Sequence, residues 1–293
     1  MSTLYVKITD NCNLNCSFCY VKQKGSLLYV DKFREVLYTH NEITRVVLHG
    51  GEPLLFPAVC KEVLDICQKR QLPVSITSNL AMELNSERKD FLRALNTSQK
   101  GVSIATSYSR DRFAHIGNAK DWNLFLKNTQ WLHLMNIPFT LLVTLSLWQI
   151  AMDSPDKLAE TIAQINPANV TIERLYFVKN EDRIPMFGKI TDDYMIKLFK
   201  RIPKEKNNLR SRMLDSIQFG VPVFNTKCGS LTLETNGTLI GCPNLCGKKS
   251  GKQHRKECIE CEFYKWCMGD CPSFRDECSF PKQTFKKVME GEL

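Results

Sequence analysis

Apolar and polar residues alternate with two distinct periods along most of the chain. Residues 4–9, Leu-Tyr-Val-Lys-Ile-Thr, follow a period of two and predict a half-buried strand. Residues 30–40 carry Phe33, Val36 and Leu37 on one helical face. The same succession repeats. Strands at 45–48, 74–77, 102–105, 139–145 and 169–176 interleave with helices at 57–70, 86–95, 121–135 and 155–165. Pro57 suits a first helical turn, and Ser86 is expected to cap its helix. In 57–70, Cys60, Val63, Leu64 and Cys67 fall at i, i+3, i+4 and i+7, so both thiols read as core packing. Trp122, Phe125, Leu126 and Leu132 form the stripe of 121–135. Residues 139–145 are nearly all apolar and are expected to be buried on both faces. Helices are also expected at 192–201 and 209–217. The alternation stops near Gly220-Val221-Pro222, where cysteines become dense, dividing the chain into 1–217 and 218–293. Six βα units predict parallel strands covered by helices, an α/β fold curved like a barrel, with its chemistry at the C-terminal strand ends.

Composition changes this picture little. Of 293 residues, 43% are hydrophobic and 24% charged, enough for one large domain and an appendage. Lys7 and Asp10 break any signal-peptide core. The longest apolar run, 137–150, contains Pro138 and Gln149 and is too short and polar to span a bilayer. Thirteen cysteines in such a chain point to metal rather than disulfides, and to a reducing cytoplasm with no membrane partner.

Two stretches carry the chemistry. Cys12-Asn13-Leu14-Asn15-Cys16-Ser17-Phe18-Cys19-Tyr20 follows the first strand with C-x3-C-x2-C spacing. Four thiolates close a [4Fe–4S] site, whereas three leave one iron open for another ligand. The second strand runs into Gly50-Gly51-Glu52-Pro53, where glycine permits close backbone approach and Glu52 supplies an acceptor. Together these resemble the cluster motif and the GGEP turn of the radical S-adenosylmethionine (SAM) enzymes. The resemblance implies a partial (β/α)6 TIM-like barrel. It implies that Cys12, Cys16 and Cys19 hold a [4Fe–4S] cluster whose open iron SAM chelates, and that Gly50, Gly51, Glu52 and Pro53 receive the SAM amino group. By the same resemblance Tyr20, Asn79 and Ser103 contact SAM, and Arg112 lies near its carboxylate. The chain departs from many relatives after strand four, reading Ala105-Thr106 where they have Asp-Gly, which weakens the analogy with sulfatase maturases.

The C-terminal cysteines have their own spacing. Cys228 is followed by Gly237 and Cys242, with residues 231–240 between them reading as a hairpin with an Asn-Gly turn. Then come Cys258-x2-Cys261-x5-Cys267-x3-Cys271 and Cys278. This resembles the SPASM extension of radical SAM enzymes, although the first spacing is one residue short. The resemblance implies a cysteine-rich iron–sulfur domain with two auxiliary [4Fe–4S] clusters. Cys258, Cys261, Cys267 and Cys278 would hold one, and Cys228, Cys242 and Cys271 the other. Pro222 stands where some relatives have a further ligand. Either Cys246 closes that cluster, or one iron is open or bound by another group. A zinc site is the alternative reading of the C-x2-C-x5-C-x3-C block. The formal charge of +9 falls to about +4 with three clusters, so an anionic partner is permitted but not demanded.

The resemblance implies an enzyme that reductively cleaves SAM to a 5′-deoxyadenosyl radical and abstracts hydrogen, most naturally in the oxidative modification or crosslinking of a peptide. An external flavodoxin- or ferredoxin-type donor is expected. The chain begins directly at strand one, so a separate leader-binding protein is expected. Alternatives are modification of a nucleobase, nucleic acid or sugar, or dehydrogenation of a small alcohol. The basic run 248–256 favours nucleic acid if it is more than a solvated loop. An iron–sulfur electron carrier or zinc module is the non-enzymatic reading. No catalytic acid or base is evident, and His254 sits in that charged run.

Overall fold

The structure, a computed structural model, describes residues 2–16, 19, 21–99, 101–109, 119–145, 147–174, 192–202, 208–210, 230–241, 260–262, 286–287 and 289–292. Strands and helices alternate as β1 (Ser2–Thr9), α1 (Val30–Thr39), β2 (Ile43–Gly50), α2 (Pro57–Lys69), β3 (Val74–Ser78), α3 (Ser86–Ser98), β4 (Ile104–Tyr108) and α4 (Ala119–Leu134). They continue as β5 (Phe139–Leu145), α5 (Leu147–Met152), α6 (Pro155–Ile165), β6 (Asn169–Arg174), α7 (Asp192–Arg201), β7 (Asn208–Arg210), β8 (Leu231–Leu233) and β9 (Leu239–Ile240). This is the α/β alternation of a partial (β/α)6 TIM-like barrel.

Two compact units are present. The first, Met1–Leu141 with Gly229–Gly247, orders its strands β4-β3-β2-β1-β8-β9. Strands β1 to β4 pair in parallel with their neighbours. Alternate residues Leu4, Val6, Val46, Leu48, Val74, Ile76 and Ile104 are buried. The helices bury Phe33, Val36 and Leu37 from α1, Cys60, Val63, Leu64 and Cys67 from α2, and Phe91, Leu92 and Leu95 from α3. Each such large side chain contributes about 2 kcal/mol by leaving water. The predicted hairpin forms as β8 and β9. Gly237 closes its turn in the left-handed region at φ 85, with Gly237 N–H donating to Glu234 O at 2.9 Å. Its strand β8 adds in parallel to the free edge of β1, aligning Leu4 with Leu231 and Val6 with Leu233.

In the second unit, Leu142–Cys228 with Lys248–Leu293, β6 pairs in parallel with β7. Ser154 caps α6 by accepting from Lys157 N at 3.2 Å, and Asn166 ends it in the left-handed region.

Four expectations are corrected. Strand four starts at Ile104 instead of 102, because the alternation of Val102-Ser103-Ile104-Ala105 continues through Thr106 and Tyr108 and does not mark its own start. Leu209 and Arg210, expected to begin a helix over 209–217, are extended in β7 because they find a pairing edge on β6, and 211–217 lie outside the described residues. Strand β5 is buried on one face only, with Thr140, Leu142 and Thr144 half-exposed on the other. Asn85, not Ser86, caps α3 by accepting from Arg88 N at 3.0 Å.

Cys60 and Cys67 are fully buried, and burial raises both thiols, Cys67 to about 12. Cys60 Sγ donates to Pro53 O at 3.3 Å. Both are therefore protonated at pH 8 and inert to alkylation in the native protein. Mass spectrometry after iodoacetamide should find them unmodified until denaturant is added. Replacing Cys67 with Ala should lower stability by about 1 kcal/mol in urea unfolding.

Candidate functional site

The ends of β1 and β2 are joined beyond their paired residues. Gly51 N–H donates to Thr9 O at 2.7 Å, and Glu52 N–H donates to Asn11 O at 2.8 Å. This brings the start of the cysteine loop onto the Gly-Gly-Glu turn. A Cβ on Gly50 would lie 2.3 Å from Thr9 O, and one on Gly51 would lie 2.0 Å from Asn11 O. Gly50 also holds φ +138. The close approach that requires these glycines is thus made by the chain itself.

Glu52 is fully buried. Its Oε1 accepts from Leu54 N at 3.0 Å and from Ser78 Oγ at 2.8 Å, and its Oε2 accepts from Asn79 N at 2.7 Å. The carboxylate caps the short 3-10 turn Pro53–Leu55 and ties it to the end of β3. A buried carboxylate needs such donors to offset its desolvation.

The cysteine loop is pinned at its neck. Leu28 N–H donates to Ile8 O at 2.8 Å, Thr9 Oγ1 donates to Ser26 O at 2.7 Å, and Ser26 N–H donates to Asp10 Oδ1 at 2.7 Å. It is also held from β3. Asn13 Nδ2 donates to Ala81 O at 2.8 Å, and Asn79 Nδ2 donates to Asn13 Oδ1 at 2.9 Å and lies 3.7 Å from Cys12 Sγ. Asn79 Oδ1 in turn accepts from Ala81 N at 2.8 Å. Leu14, Cys16 and Ala81 form one buried apolar patch, with Cys12 and Cys19 packed against it.

The donor chemistry fits an iron–sulfur cluster. The three thiols converge on one patch, and the Asn79 amide and Leu14 N–H, 3.4 Å from Cys12 Sγ, suit a ligating thiolate. Burial, with smaller contributions from Glu52, Cys16 and Cys19, pushes Cys12 up to about 11, against the lowering effect of Leu14 N–H. Without metal it is a thiol. Among the described residues no three His, Cys, Asp or Glu side chains are gathered tightly enough for a single metal ion, a tighter demand than a cubane places on its corner ligands.

Cys12, Cys16, Cys19, Gly50, Gly51, Glu52, Pro53 and Asn79 therefore assemble at the C-terminal ends of β1 to β3. Ser103 does not join them. Ser78 is level with Thr106, which puts Asn79 level with Ser107. Ser103 lies four residues, about 13 Å, further down the sheet. It is not brought together with the cysteine loop and the Gly-Gly-Glu turn. Cys261 is half-buried in the second unit. Tyr20, Arg112, Cys228, Cys242, Cys246, Cys258, Cys267, Cys271 and Cys278 lie outside the described residues. Asn13, Asp10 and Ser26 escaped the sequence reading, since polar loop residues show no period.

Replacing Glu52 with Ala strands three buried donors and should cost about 3 kcal/mol in urea unfolding. Gly51→Ala should lose cluster iron on anaerobic reconstitution, because its Cβ forces Asn11 out of place. Iron per chain, compared with wild type, checks this.

The sequence model of the Radical SAM superfamily matches residues 6–162. Among curated proteins, the chain is 31% identical over 130 residues to GTP 3′,8-cyclase 2 of Mycobacterium tuberculosis, covering 39% of this chain and 36% of that one. It is 29% identical over 111 residues to an uncharacterised protein of Archaeoglobus fulgidus, covering 36% of this chain and 25% of the relative. The matches thus span about half or less of the curated relatives' own length. Among solved structures, native anSMEcpe with bound AdoMet superposes with a TM-score of 0.72 at 15% identity, covering 99% of this chain and 96% of that one. SuiB of Streptococcus suis gives 0.64 at 15% identity, covering 94% and 76%. These two likenesses establish the fold. The family match takes in more than half of the 293 residues, and the chain belongs to the radical SAM superfamily.

Proposed function

We propose that this radical SAM enzyme oxidatively modifies a peptide. The observation that carries the reading is a likeness of fold that extends over nearly the whole chain. AnSMEcpe with bound AdoMet and the Cp18Cys peptide superposes at a TM-score of 0.71 over 99% of this chain. SuiB bound to its precursor peptide SuiA does so at 0.60 over 94%.

In this reading Cys12, Cys16 and Cys19 hold the cluster, and Gly50, Gly51, Glu52, Pro53 and Asn79 form the SAM-facing end of the sheet. Cluster and SAM together supply a 5′-deoxyadenosyl radical able to take a hydrogen atom from a substrate carbon. The chain's own work is positional. Glu52 and Asn79 fix the strand ends, the Asp10–Ser26 neck holds the loop, and Leu14 and Ala81 give the thiols an apolar bed. Tyr20 and Arg112 complete the SAM contacts.

Residues 218–293 form a SPASM-type domain in the same proposal. Cys258, Cys261, Cys267 and Cys278 hold one auxiliary cluster, and Cys228, Cys242 and Cys271, with Cys246, the other. That makes three [4Fe–4S] clusters. A flavodoxin- or ferredoxin-type protein supplies electrons, and a separate protein presents the peptide leader. The thirteen cysteines fit a reducing cytoplasm. Among the described residues no helix is long and apolar enough to cross a membrane. A nucleotide or nucleobase substrate is the second reading, favoured by the relative named GTP 3′,8-cyclase 2.

Anaerobic reconstitution should yield about 12 iron atoms per chain, and about 8 would remove one auxiliary site. Replacing Cys12, Cys16 and Cys19 with Ala should abolish reductive SAM cleavage, read as 5′-deoxyadenosine by chromatography. The substrate class is tested by offering the reconstituted enzyme perdeuterated peptide and nucleic-acid fractions. Deuterium in 5′-deoxyadenosine from the peptide fraction is expected. Label from the nucleic-acid fraction alone overturns the peptide reading.

A further inference from the structure

Buried polar atoms without a partner gather on one face of the first unit's sheet. Register identifies that face. Tyr5 is level with Val47 and with Thr232, and Lys7 is level with His49. Val47 is level with Ser75, and Ile76 with Ile104, so the lower row runs on to Ser103. These positions alternate with the fully buried Leu4, Val6, Leu48 and Ile76, and so point to the opposite side. Three of the atoms with no hydrogen-bond partner, His49 Nε2, Ser103 Oγ and Thr232 Oγ1, belong to this face.

His49 stands out among them. It directly precedes Gly50-Gly51-Glu52 and is only 8% exposed. Its ring meets Tyr5 edge-on, with centroids 5.6 Å apart. Beside it, Lys7 Nζ is 2.5 Å from Glu234 Oε2, the carboxylate brought level by the pairing of Val6 with Leu233. Burial, with the positive charge of Lys7, lowers the His49 pKa to about 3. The imidazole is therefore neutral at working pH, a hydrogen-bonding group and not an acid or base. Leaving such a nitrogen unpaired costs about 1–3 kcal/mol, which a purely structural side chain would avoid.

The chemistry of the face selects its ligand. Lys7 is neutralised by Glu234, Arg45 at the far end of the face is exposed, and the buried groups that remain are an imidazole nitrogen and hydroxyls. An uncharged amide or hydroxyl complements this set, whereas a phosphate or carboxylate would find Lys7, the cation beside His49, already paired with Glu234. We propose that His49 is a substrate-contacting residue whose Nε2 hydrogen-bonds an uncharged amide or hydroxyl group, as a peptide presents. The choice of a peptide rests on the functional reading above; the role of His49 is tested separately.

The test compares reconstituted wild type, His49→Phe and His49→Gln. Three quantities are read: thermal midpoint, SAM cleavage without substrate, and deuterium transfer from the perdeuterated peptide fraction. His49→Phe should keep the midpoint no lower than wild type and SAM cleavage within about twofold, while label transfer falls by about tenfold or more. His49→Gln, which restores a neutral polar group, should recover transfer to within about threefold of wild type. Unchanged transfer in His49→Phe overturns the proposal and leaves His49 a core residue. A parallel loss of SAM cleavage also overturns it, because the residue then acts on SAM. If wild type draws label from the nucleic-acid fraction instead, the peptide reading fails, and transfer from that fraction in the same two variants decides the role of His49.

Discussion

The buried carboxylate of Glu52 takes hydrogen bonds from the Leu54 backbone, the Ser78 hydroxyl and the Asn79 backbone, while its own N–H reaches back to Asn11. Those contacts join the ends of β2 and β3 to the start of the cysteine loop. A carboxylate removed from water is costly to leave unpaired, so its donors must stay in place together. That requirement makes the end of the sheet a fixed platform. Asn79, positioned through its backbone by Glu52, uses its side chain to hold Asn13 and to approach Cys12. One constraint therefore runs from the Gly-Gly-Glu turn through β3 to the first thiol.

The glycines belong to the same constraint. Gly50 and Gly51 leave room for Thr9 O and Asn11 O, and the backbone bonds they allow extend the β1–β2 pairing into the loop. The neck at Asp10 and Ser26 closes the loop from its other side. Between these anchors the thiols rest on Leu14 and Ala81, in surroundings apolar enough to keep Cys12 protonated until a soft metal displaces its proton. The motif residues are read most economically as one scaffold that preorganises three thiols.

Much of the first unit is legible from periodicity, since Leu4–Ile8 and the Cys60–Cys67 stripe have unambiguous spacings. The cysteine spacing and the Gly50–Pro53 turn were legible because few other arrangements use them. What was not legible is long-range. Period-two alternation does not state where a strand starts, which displaced the start of strand four. Composition alone made β5 look buried on both faces, although Thr140 and Thr144 share a half-exposed side with Leu142. Pairing edges are invisible locally, so neither β7 on β6 nor β8 on β1 was foreseen. The Asp10–Ser26 neck and the exposed consequences of burial at His49 likewise depend on contacts between residues far apart in sequence.

In the function proposed above, the loop of Cys12, Cys16 and Cys19 holds a cluster with one iron open to SAM. Electron–nuclear double resonance on the reduced, reconstituted protein tests it most directly, using SAM isotopically labelled at its amino nitrogen. A hyperfine coupling between that nitrogen and the cluster, lost when Cys16 is replaced by Ala, is the predicted result. A fully loaded protein whose reduced clusters show no coupling to labelled SAM would rule out an open iron at this loop.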